Sequence, residues 1–123
     1  MRIQINEPPR VFEVGLGERI EMKDCARIEL APDEQVTFTT EAGGEYDVAR
    51  KDWGFYATPS LNARLEEFGL RGVLVRNRLG RYFVLLVERG KEQFFETYRA
   101  SEELVVVTWL DTTERLEALE TSR

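Results

Sequence analysis

The sequence predicts an α+β fold, with a mainly antiparallel β-sheet (sandwich or roll) in the N-terminal half followed by a β-β-α-β unit. Two observations predict it. Short runs of alternating apolar and polar residues recur about every ten residues up to Ala57, as strands do. Beyond Thr58 the style changes, and apolar residues at helical spacing appear between strongly apolar strands. No Gly/Ser-rich linker and no internal repeat divides the 123 residues, so one domain is expected, strand-rich over 1–57 and mixed over 58–123.

Taken in order, RVFEV (Arg10–Val14) reads as a strand before the turn-prone GLGE. RIEMK sets Ile20 and Met22 on one face, and ARIEL does the same with Ile28 and Leu30. Pro32 and Asp33 mark a turn. QVTFTT alternates so that Val36 and Phe38 point inward and Thr37 and Thr39 outward. The glycines of EAGGE suit a hairpin, and the returning strand starts at Tyr46 and Val48. Thr58-Pro59 reads as a helix start, with Leu61, Leu65 and Phe68 on one face and Gly69 as the stop. RGVLVRN, the turn RLG and RYFVLLVE form a hairpin whose second strand is apolar enough to be central. GKEQFFETYRAS predicts a short helix turning Phe94, Phe95 and Tyr98 to the sheet. ELVVVTWL (Glu103–Leu110) reads as a buried strand, and a capping box of Asp111 and Glu114 as the start of a terminal helix that frays over 112–123. The first and last strands are open to sharing one continuous sheet.

Composition excludes several chemistries. The chain has no histidine, which removes Ser-His-Asp and Cys-His nucleophiles and nearly every transition-metal site. Cys25 is the only cysteine, so no internal disulfide forms and no thiolate cluster exists. No metal and no cofactor are expected. The start, MRIQINEPPR, lacks the apolar core of a signal peptide, and a cytoplasmic protein is the expectation. Net charge is −6, but residues 50–99 hold ten basic and six acidic side chains. An acidic whole argues against nucleic-acid binding, while a basic middle suits a pocket for one small anion.

The stretch EYDVARKDWGFYATPSLNARL concentrates that chemistry. Tyr46, Trp53 or Tyr56 can stack on a flat or sugar-like ligand face, Arg50, Lys51 and Arg64 can hold its negative charge, and Asn62 or Ser60 can read its hydroxyls. The same residues equally suit a sheet–helix junction with solvated charges at its rim. Arg71, Arg76, Arg78 and Arg81 read as a charged hairpin end or as guanidinium forks for phosphate or carboxylate. Without histidine, proton transfer would fall to Asp47, Asp52, a tyrosine or Lys51, and no motif ties them into a catalytic set. VVVTWL is the strand to watch at any homodimer interface; Trp109 reads first as core and only secondarily as an interface anchor.

The segments PDEQVTF, EYDVARKDWGFYATPSLNARL, GLR and VTWLD together resemble small uncharacterised bacterial proteins associated with gene clusters for polysaccharide or nucleotide-sugar biosynthesis. The resemblance covers roughly residues 13–111 and implies a setting, the bacterial cytoplasm near surface-sugar metabolism; it carries over no activity and no site residue. Three functions follow as expectations. The first is an accessory protein binding an anionic sugar or a partner protein. The second is a small cofactor-free, isomerase-like enzyme on a sugar nucleotide. The third is a structural, dimeric interaction module.

Overall fold

The computed structural model describes residues 1–122, which form an α+β fold of three small antiparallel sheets. Strands β1 (Arg2–Val14) and β2 (Ile20–Glu29) make a long two-stranded arm; β3 (Gln35–Thr39), β4 (Glu45–Lys51) and β5 (Gly54–Ala57) make a meander. After the short α1 (Arg64–Glu67) come β6 (Leu70–Arg76), β7 (Tyr82–Glu88), α2 (Glu92–Ser101), β8 (Val105–Trp109) and α3 (Thr113–Thr121). The third sheet has the order β7-β6-β8. The first and last strands therefore do not share a sheet, because β1 and β2 pair with each other alone.

The core lies where α2 covers one face of the third sheet. Val73 and Val75 of β6 are fully buried and pack with Val87 and Leu104, flanked by Leu85, Phe95, Val106 and Trp109. Phe95 meets Trp109 edge-on, with centroids 5.8 Å apart and planes at 73°. The central strand is β6. The more apolar β7, expected there, is an edge strand, as is β8, whose Val105 and Val107 are each 47% exposed. Total apolarity misled here, because a central position needs two pairing edges, which β6 offers to both neighbours.

Helix geometry also separates residues that the sequence reading grouped. Neighbours on a helix diverge by about 100°, so Phe94 and Phe95 cannot both face the sheet. Phe95 does; Phe94 points outward under the Lys91 ammonium, and Tyr98 is half covered. Thr58-Pro59 does not start a helix. The Thr58 N–H donates to the Asp47 carbonyl, which holds this segment beside β4, and the helical turn begins only after Ser60 Oγ accepts from the Arg64 N–H. Leu65 is nonetheless buried and Gly69 ends the turn with φ of +81°. At α3 the cap is Thr112, whose hydroxyl accepts from the Arg115 N–H, because the Asp111 carboxylate is engaged by Arg71. In β3 the expected facing holds for Val36, which is half-buried, and fails for Phe38, which is exposed; on the other face Thr37 donates to the buried Asp47 at 2.6 Å. A buried carboxylate must be hydrogen-bonded, and the Thr37 hydroxyl satisfies one oxygen while Thr58 donates more loosely to the other.

Candidate ligand-binding cleft

The arm is fastened at both of its ends. At its base the Arg50 guanidinium donates to the Leu30 carbonyl at 2.7 Å. At its tip the buried Glu102 carboxylate accepts from the Leu16 and Gly17 N–H groups at 2.9 and 2.5 Å. Arg78 adds bonds to the Leu16 carbonyl and to Glu103. Gly17 is required there, since a Cβ would collide with the Ser101 carbonyl.

Each fastening point borders a cleft. The cleft at the tip, about 220 Å³, is mainly apolar, with Phe83, Leu85, Leu104 and Tyr98 around the buried Asn77 and Glu102. Asn77 Oδ1 already accepts from Leu79 and Arg81, so its polar atom serves the β6–β7 turn. The cleft at the base is larger, about 820 Å³, and open. It is bounded by Arg2, Gln4, Arg27 and Glu29, by Ile3, Ile28 and Leu30, and by Arg50 and Phe55 from the meander. Register explains the meeting. Arg27 pairs with Gln4 and Glu29 with Arg2 across the arm, and Arg50 pairs with Phe55 across β4–β5.

The charge in this basal cleft is only partly neutralised. Arg2 lies 3.8 Å from Glu29, a loose exposed pair. Among the described residues neither Arg27 nor Arg50 forms an ion pair. Arg50 uses Nε and Nη1 on the Lys51 and Leu30 carbonyls, which fixes the fork and leaves Nη2 without a partner among those residues. A planar cation held in place by its own backbone, beside an exposed aromatic ring, suits a ligand that is anionic at one end and flat or sugar-like at the other.

Of the seven residues singled out from the sequence, only Arg50 lines the basal cleft. Tyr46 lies on the same face of β4 but pairs with Phe38 at the other end of the strand. Tyr56 pairs with Ala49 and so shares the opposite face with Lys51, whose ammonium is held by Asp33 at 2.5 Å, which raises its pKa. Trp53 sits exposed in the β4–β5 turn. Asn62 donates to Thr113 Oγ, and Arg64 stacks over Phe68 at 5.2 Å. Within the arginine series, Arg71 is held between Asp111 at 2.6 Å and Glu92 at 3.4 Å and lies over the Trp109 ring at 4.0 Å. That network closes the third sheet. Arg2 and Arg27 went unnoticed because a 23-residue chain distance separates Arg27 from its cleft partner Arg50. The signal that pointed to them is the polar face of the arm, where Arg2, Gln4, Arg27 and Glu29 alternate with isoleucines.

Comparison with protein families, with curated proteins and with solved structures found no match. Among the described residues no helix is long and apolar enough to cross a membrane, and no three acidic or cysteine side chains cluster to hold a metal ion.

Proposed function

We propose that the protein is a non-catalytic binding module whose basal cleft takes a small anionic, sugar-like ligand. The observation that carries this reading is the meeting of two arginines that form no ion pair among the described residues, Arg27 and Arg50, with Phe55 in one open cleft. Recognition there consists of charge-assisted hydrogen bonds from the guanidinium groups and stacking on the ring, which needs no cofactor. A bacterial cytoplasmic setting near surface-sugar synthesis accords with such a ligand and rests on the sequence resemblance alone. The isomerase-like reading gains no support from geometry, since Asp47 and Asp52 line neither cleft and Asp47 is engaged by Thr37 and Thr58. A partner protein is the second reading, favoured by the many large apolar side chains left exposed.

A thermal-shift panel of nucleotide sugars, sugar phosphates, free nucleotides and simple carboxylates tests the ligand reading. A ligand at about 100 times its Kd stabilises the fold by about 2.7 kcal/mol, a rise of several degrees for a domain this size. Arg27→Ala and Arg50→Ala should abolish the rise, and Arg64→Ala should leave it intact. A rise in wild type that survives both cleft substitutions would place the ligand elsewhere. The absence of a rise with every compound favours the protein-partner reading.

A further inference from the structure

The arm is amphipathic along its whole length. Residues paired across two strands share a face, and alternate residues of β2 share it too. Ile3 pairs with Ile28, Ile5 with Ala26, Phe12 with Met22 and Val14 with Ile20. The four-residue irregularity between Ile5 and Arg10 lies opposite Cys25 alone, so the even-numbered residues of β2 stay in phase from Ile20 to Ile28. One face of the arm is therefore Ile3, Ile5, Phe12, Val14, Ile20, Met22, Ala26 and Ile28. Its seven large side chains range from 37% to 69% exposed. The reverse face carries Arg2, Gln4, Glu13, Glu21, Lys23, Arg27 and Glu29, with the exposed Val11 among them.

An isolated two-stranded ribbon is at best marginally stable in water, so a ribbon with one continuous apolar face implies a cover. Among the described residues the only charged groups on that face are Arg10 and Asp24, which are cross-strand partners, and Arg10 Nε donates to Asp24 Oδ2 at 3.2 Å. We infer that the cover is a second copy of this chain, packed arm to arm about a two-fold axis running along the arm. That axis lays β1 of one copy over β2 of the other. Arg10 of each copy then faces Asp24 of the other, and Ile5 faces the small Ala26, so charge and volume are both self-complementary. An axis across the arm would instead set Arg10 on Arg10 and Asp24 on Asp24. The arm is about 40 Å long and about 10 Å wide, so each copy contributes about 400 Å² of flat area before side-chain relief is counted. That is about half of a standard interface, which predicts a dimer that dissociates on dilution. The assembly shares Ile3 and Ile28 with the rim of the basal cleft, whereas the Arg10–Asp24 pair that sets its register lies outside that cleft.

Sedimentation velocity from about 1 to about 100 µM tests it. The wild-type mass should rise from 14.3 kDa towards twice that value. Ile5→Lys, at a site already 69% exposed, should stay monomeric throughout, whereas Val107→Lys on β8 should dimerise like wild type. Arg10→Asp and Asp24→Arg should each be monomeric alone and dimerise when mixed, because the mixture restores both contacts between copies. This mixing result holds even if one substitution loosens the arm within its own chain. A wild-type monomer at the highest concentration would overturn the inference. So would a dimer that Ile5→Lys leaves intact, a dimer lost on Val107→Lys, or a mixture that stays monomeric.

Discussion

Glu92 shows how single groups tune this fold. Its carboxylate lies at the start of α2, where it accepts from backbone N–H groups, its own and that of Gly90, and it pairs with Arg71 at 3.4 Å. The backbone donors first, then Arg71, hold its pKa below the ordinary 4.5. A depressed folded-state pKa gives stability that is present above the unfolded value and is lost as pH falls through the folded one. Thermal melts from neutral pH down through the carboxylate range should show wild type melting above Glu92→Gln at neutral pH. The two curves should converge in acid, where wild-type Glu92 is protonated. A constant gap across that range would mean that the charge of Glu92 contributes nothing. At this scale the sequence was partly legible. The apolar character of Phe95 and Trp109 marked the core, but which of two adjacent phenylalanines turns inward depends on helix phase, and which of Asp111 and Thr112 caps α3 depends on Arg71, 40 residues away.

Among the elements, the arm depends on others for its position. Its tip hangs on one buried carboxylate, Glu102, which satisfies two N–H groups of the 15–19 turn. Leu16 and Gly17 are exposed, so loss of this acceptor hands their N–H groups to water and frees the turn from its anchor. Glu102→Ala should therefore speed amide exchange at Leu16 and Gly17 while leaving Val73 and Val75 of β6 protected. Equal loss of protection in both places would show that Glu102 supports the whole fold rather than the tip. Alternation made the arm readable in pieces: Arg10–Val14 of β1, and RIEMK and ARIEL, which turn out to be one continuous β2. The first half of β1, residues 2–9, was not legible as strand. The pairing of β1 and β2 as a separate ribbon was not readable either, because period-2 patterns specify a face and leave the neighbour unspecified. The same gap explains why β7 read as central.

The whole molecule divides its work between a small packed core under α2 and two open surfaces borne by the arm, one basic at its base and one apolar along its face. The α+β class and the order of the later elements were legible in the sequence. The site was legible only as a tendency, a basic middle rich in aromatics, of which Arg50 alone reaches the cleft; Arg27 and Arg2 join it through tertiary pairing that no local pattern encodes. The central claim is that an anionic sugar-like ligand binds at the base of the arm. Its most direct test is an amide and arginine side-chain NMR titration of the intact protein with whichever sugar phosphate or nucleotide sugar raises the melting temperature most. The account predicts saturable shifts at Arg2, Arg27, Ile28, Arg50 and Phe55, with Tyr98 and Leu104 of the tip cleft unmoved. Saturable shifts centred on the tip cleft or on Trp53, with Arg27 and Arg50 silent, would contradict it.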